Sequence, residues 1–306
     1  MRPSPVAAMR AYLIGLIGLF VYSAMMSALA DMGIRMGFLS YIINIIFQWL
    51  VFALPALLYY QKRPELQPSL RLFPLDPACV VVIVAASAVG MLALNWLSLY
   101  WVMILSSLGF AVDTGGELIS KNGTELIWFL VYGALAPAAF EEVLFRGFLF
   151  PAFETKGRRA AILLSALLFA LLHGSVEALP AHILLGIILS LLMLKTGSLY
   201  APMVYHAAHN GAVMLLGYYW NDPADATEAL PTAGEAVGAI PGVLILLLFW
   251  GFLLAFVFRR GEQKGGERLP PAEPARLPKP AKIMLFAAAV ILLGFQIVTV
   301  LGMLAA

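Results

Sequence analysis

Charge is what this 306-residue sequence has least of. Lys, Arg, Asp and Glu make up 12% of it, against 62% hydrophobic residues and a mean hydropathy of +0.92. A soluble domain carries about a quarter charged residues, so a surface of this composition cannot face water throughout. An ordinary soluble enzyme is thereby excluded. The formal net charge is only +2, which gives no footprint for nucleic acid. A single cysteine, Cys79, excludes an internal disulfide framework and any CxxC-type metal site. No internal repeat is visible, which withdraws support from a transporter built of duplicated halves.

What is abundant is long apolar runs. They fall at about 11–30, 39–60, 78–110, 125–153, 159–174, 180–195, 200–220, 238–258 and 283–304, and a bilayer needs roughly 20 apolar residues per crossing. The pattern predicts an all-α, polytopic transmembrane helical bundle of eight or nine spans. The third run is long for one crossing and predicts a tilt or a break near Asn95. The fifth is short, as suits a span sheltered by its neighbours. The first ends on Ser27-Ala28-Leu29-Ala30, a small-residue pattern open to signal-peptide cleavage, whereas the many runs after it suit an uncleaved anchor.

Lys and Arg concentrate in alternate connections. Lys62, Arg63 and Arg71 follow the second run, Lys156, Arg158 and Arg159 the fourth, and Lys195 the sixth. Seven basic residues lie between Arg259 and Lys282, whereas Asn221 to Ala236 holds Asp222, Asp225, Glu228 and Glu235 with no basic residue. By the positive-inside rule, a nine-span arrangement with a cytoplasmic N-terminus puts every basic connection inside. The expected organisation is a membrane-embedded domain over 1–258, a basic, Pro-rich cytoplasmic linker over 259–282, and an additional C-terminal transmembrane helix over 283–306.

An ionisable side chain in an apolar span costs about 2.5–3.5 kcal/mol on insertion scales. Such residues persist where they are paired, hydrated or useful, and here they gather between the fourth and seventh runs. The first group is Glu141-Glu142…Arg146. Glu142 and Arg146 are four residues apart and share a helix face, while Glu141 is turned by about 100° and is left for acid–base work. The second is Phe169…His173, one turn apart, so the phenyl ring can brace the imidazole. The third is His206…Asn210, two hydrogen-bond donors on one face, suited to an oxyanion. Each group also has a plainer reading: a charge cluster at a helix end, a core histidine, or polar glue between helices. His182, five residues after Glu177, reads as interfacial, with Glu177 as its candidate partner.

In this order and on separate helices, EExxxR, FxxxH and HxxxN resemble the CAAX-protease and bacteriocin-processing (CPBP, or Abi) family of intramembrane proteases. The motif core covers about 125–215, and every motif residue is present. The resemblance implies that Glu141 with His173 activates a water, that His206 and Asn210 stabilise the oxyanion, and that Glu142 and Arg146 hold Glu141, with Phe169 in support. It implies a peptide or lipidated-protein substrate reached within a multi-pass inner-membrane protein, from a chamber opening to the cytoplasm. No nucleic acid is expected, and membrane lipid is. The last run is an addition without an implied catalytic role.

The expected chemistry uses no metal. The alternative is a zinc site on Glu141, His173 and His206 with one open position, although the HExxH spacing is missing. Two further readings stand beside the protease: a non-catalytic immunity or scaffold protein, and a proton-coupled transporter that relays protons through the same residues.

Overall fold

Each of the nine apolar runs folds as a helix. A computed structural model describes residues 1–34, 36–112, 120, 122–220, 230–264 and 275–305. The helices are α1 (Pro5–Asp31), α2 (Phe38–Gln61), α3 (Pro77–Ser107), α4 (Gly123–Lys156), α5 (Arg158–Leu172), α6 (Leu179–Thr196), α7 (Tyr200–Trp220), α8 (Ala233–Lys264) and α9 (Lys279–Ala305). No strand occurs among the described residues. The chain is therefore an all-α polytopic bundle.

Seven of these helices are long and apolar enough to cross a bilayer by themselves. The other two are α5, which has only 15 residues, and α7, which carries His206, His209 and Asn210. The third run does not break at Asn95 but continues as one helix of 31 residues, started by Pro77 and by Asp76, whose side chain caps the Ala78 N–H at 2.9 Å. Of the expected linker, 259–264 extend α8 and 279–282 open α9, while 265–274 lie outside the described residues. So do 221–229, which hold most of the expected acidic connection.

The core is α4 to α7, with α5 laid along α6, α7 against α4, and α3 joining α7 to α8. Small residues set the spacing. A Cβ at Gly186 of α6 would lie 2.8 Å from the Ala166 Cα of α5, so the two backbones touch, as small residues permit in membranes. Gly157, at φ 97°, turns α4 into α5 in a single residue, a conformation that glycine adopts without cost.

Prolines join α4 to its neighbours. Pro151 has no N–H to give the Gly147 carbonyl its ordinary helical partner, and the Tyr60 hydroxyl of α2 donates to that oxygen at 2.7 Å. Pro137 likewise frees the Gly133 carbonyl, and the Asn210 amide of α7 donates to it at 3.1 Å. Wider π-turns at Leu130–Leu135 and Phe145–Leu149 flank the segment bearing Glu141 and Glu142, the kind of local widening that is common at functional sites.

The basic connections share one end of the bundle. Glu154, at the end of α4, accepts from Arg2 at 2.5 Å and from Arg71 at 2.7 Å. The Ala275 N–H donates to the Thr155 carbonyl, and the Leu199 N–H to that of Arg71. Arg260 pairs with Asp76, and Lys195 with Glu262. The alternation of basic connections in the sequence is thus a real sidedness of the fold.

Candidate active site

Phe169 is the fixed point around which the polar residues meet. It is fully buried on α5, packed edge-on against Phe145 at 5.2 Å, with the Arg146 guanidinium 4.6 Å above its ring. The rings of His173 and His206 lie 4.5 and 5.8 Å from it. The EExxxR, FxxxH and HxxxN groups, carried on α4, α5 and α7, are therefore brought together.

The inner layer is a closed network. Glu142 Oε1 accepts from Arg146 Nη1 at 2.9 Å and faces His206 Nδ1 at 3.0 Å. Arg146 Nη2 donates to the Gly186 carbonyl of α6 at 2.9 Å. The side chains of Glu142 and Arg146 are wholly buried, and that of His206 nearly so. The i,i+4 pairing read from the sequence is present, yet its inter-helix partner is His206. Glu141 itself lies within electrostatic reach of Arg146, without a hydrogen bond to the pair among those described.

The outer layer is less deeply buried. His173 caps the end of α5 and is exposed, Glu141 is half-buried, and the Asn210 side chain spends one amide proton on the Gly133 carbonyl. The His173 Nδ1 lies 2.8 Å from the Phe169 carbonyl. A carbonyl oxygen only accepts, so Nδ1 carries the proton and neutral His173 offers a lone pair at Nε2. A carboxylate paired to Arg146 also only accepts, so His206 likewise donates from Nδ1 and leaves Nε2 for another partner. Both histidines thus present the same nitrogen for chemistry.

Two histidines that the motifs do not include join the group. The His182 ring lies 4.3 Å from that of His173 at 33°, while Glu177, its expected partner, accepts from Ser175 at 3.2 Å. His209 stacks on Tyr205 at 6.3 Å, and the Tyr205 hydroxyl accepts from the Trp250 Nε1–H of α8 at 3.1 Å. His173, His206 and His209 all lie within electrostatic reach of His182. The clustering of every histidine between 173 and 209 was the only sign of this in the sequence. The last helix also reaches the site: Phe295 of α9 stands against Gly174, the residue after His173.

Five buried polar atoms here have no protein partner: Glu141 Oε2, Glu142 Oε2, Arg146 Nε, His182 Nδ1 and His209 Nδ1. Leaving one unmet costs about 1–3 kcal/mol, so this is a place shaped for a polar guest rather than a sealed core. The donor set does not converge as a metal site: among the described residues, no three His, Cys, Asp or Glu side chains come together to hold an ion.

Comparison with known families falls on this same region. Residues 123–212 match the family model described as type II CAAX prenyl endopeptidase Rce1-like. That stretch is similar to the Rce1-like family. The match begins at the first residue of α4 and ends two residues beyond Asn210, so the Rce1-like segment contains every motif residue and covers less than a third of the chain. No curated protein and no solved structure gives a match.

Proposed function

We propose that this protein is an intramembrane endopeptidase that hydrolyses a peptide bond of a membrane-associated peptide or lipidated protein, without a metal ion. One observation carries the reading: the rings of His173 and His206 meet at Phe169, each tied at Nδ1 to a protein oxygen with Nε2 left for chemistry, and Glu141 of the same motif group keeps an oxygen without a protein partner. The Rce1-like match over the same residues supports it.

In the proposed reaction a water lies between Glu141, His173 and the scissile carbonyl. The Glu141 carboxylate, with the His173 Nε2 lone pair beside it, takes one proton as the water oxygen bonds to the carbonyl carbon. The carbonyl π-pair moves to oxygen, and His206 Nε2–H and the remaining Asn210 amide proton donate to that oxyanion. To donate there, His206 carries protons on both nitrogens, with Glu142 as its counter-ion. When the oxyanion re-forms the carbonyl, the C–N bond breaks and the amine leaves with the proton held by the Glu141–His173 pair. Glu142 and Arg146 thus act by fixing His206.

The basic end of the bundle is assigned to the cytoplasm of an inner membrane, with the N-terminus on that side. The site then lies about 20 Å from it, since α5 rises roughly 1.5 Å per residue from Arg158 to His173. Membrane lipid surrounds the outer helices.

The test is hydrolysis in ¹⁸O-labelled water by the protein in proteoliposomes, using a library of membrane-associated peptides. The expected products carry one ¹⁸O at the new carboxyl terminus, and Glu141→Gln abolishes them. Products that persist in Glu141→Gln, or no product from any peptide, would overturn the proposal.

A further inference from the structure

His173 is loosely placed for a residue assigned to the chemistry. It ends a helix, is exposed, and is followed by a turn through Gly174 at φ 70°. A half-turn of its ring about χ2 would exchange Nδ1 for Cδ2, break the bond to the Phe169 carbonyl and carry Nε2 away from the site. One hydrogen bond of 2.8 Å and the tilted Phe169 ring resist that turn. The remaining ring contact is His182, closer and more nearly parallel, at 4.3 Å and 33°.

We propose that His182 is a positioning residue for His173, holding the imidazole plane so that Nε2 faces the attacking water. This rests on the endopeptidase reading above. His182 is itself rigidly placed. It lies in the first turn of α6, its N–H donates to the Ala178 carbonyl, and the Ala178 N–H is bonded to Ser175 Oγ. The connection from His173 to α6 is pinned from outside as well, by Trp101 of α3 donating to the Val176 carbonyl at 2.9 Å. The backbone that carries the two imidazoles therefore keeps their spacing.

The contact has a second consequence. When His173 takes up a proton in the reaction, the neutral face of His182 beside it attracts the cation as other aromatic faces do, whereas a charged neighbour would repel it. The role needs an aromatic ring and no proton exchange at position 182. A phenyl ring therefore substitutes, which separates positioning from proton relay.

The experiment compares wild type, His182→Ala and His182→Phe in two readouts. In the first, kcat and KM are measured in proteoliposomes on the library peptide that wild type cleaves best. His182→Ala lowers kcat about tenfold or more, as expected for misplacement of a reacting group, with KM unchanged, and His182→Phe restores most of it. Equal loss in both variants, or no loss in either, overturns the proposal. The second readout needs no substrate. In ¹⁵N-histidine NMR spectra, His173 shows a single Nδ1–H tautomer in wild type and His182→Phe, and a mixture in His182→Ala. Identical His173 signals in all three overturn the positioning role even if activity is found. If wild type cleaves no peptide while the NMR pattern appears, positioning stands and the endopeptidase reading falls.

Discussion

Removing either partner of the Glu142–Arg146 pair should be among the most damaging changes to this fold. Both side chains have zero exposure, and their 2.9 Å contact shares its carboxylate oxygen with His206. In Glu142→Leu the guanidinium loses its bonded carboxylate and keeps the Gly186 carbonyl, the Phe169 and Phe145 faces and the more distant Glu141. Breaking a buried pair in this way costs about 3–5 kcal/mol, whereas replacing both partners with apolar residues of similar volume is often neutral. Glu142→Leu and Arg146→Met are therefore each expected to lose about 3–5 kcal/mol, and the double variant to regain most of it, a coupling of at least about 3 kcal/mol. Steric trapping in mixed micelles, with thermal midpoints alongside, measures each corner of the cycle. Activity should follow a different pattern. The double variant folds but lacks the carboxylate that orients His206, and the loss of such a carboxylate costs up to about 10⁴-fold in kcat. Single variants that lose less than about 1 kcal/mol, or a double variant that folds and cleaves as wild type does, would refute the reasoning.

Other variants separate chemistry from scaffold. Glu141→Gln should lower kcat about 10²–10⁴-fold with an unchanged thermal midpoint, because its Oε2 has no protein partner to lose. Asn210→Ala should cost about 10²–10³-fold in kcat as an oxyanion donor is lost. It should also cost about 1 kcal/mol of stability, since the Gly133 carbonyl loses its donor; steady-state kinetics and unfolding midpoints read the two effects. Glu154→Ala should lower stability by about 3 kcal/mol, because two largely buried guanidiniums converge on that carboxylate. Its kcat should stay within about twofold once the protein is folded, a small effect on this scale; a large loss of kcat at full folding would place the clasp in the mechanism.

The fold was legible because a bilayer leaves the chain few options. Nine apolar runs became nine helices, and the basic connections gathered at one end, since both follow from composition along the chain. The motif residues were legible because polar side chains stand out in apolar helices. The partners across helices were not. Periodicity shows that Glu142 and Arg146 share a face, but a contact from Glu142 to His206 spans 64 positions and depends on how α4 meets α7. The contact of His182 with His173 was hidden for a related reason. His182 lies at the start of a helix, and nothing in the chain shows that the end of α5 packs against it. The roles of Pro137 and Pro151 are readable in the sequence. Each removes one N–H within α4, so each frees a carbonyl four residues back, and the donors that came to them are Asn210 and Tyr60.

The central claim is most directly tested by cleavage of a quenched fluorogenic peptide library with the detergent-purified protein. Wild type is compared with Glu141→Ala and His173→Ala, each with and without a strong chelator. The account predicts cleavage by wild type that survives the chelator and disappears in both variants. Cleavage abolished by chelator and restored by zinc would contradict the metal-free chemistry and give Glu141, His173 and His206 ligand roles. Cleavage retained in either variant would contradict the assignment of the site itself.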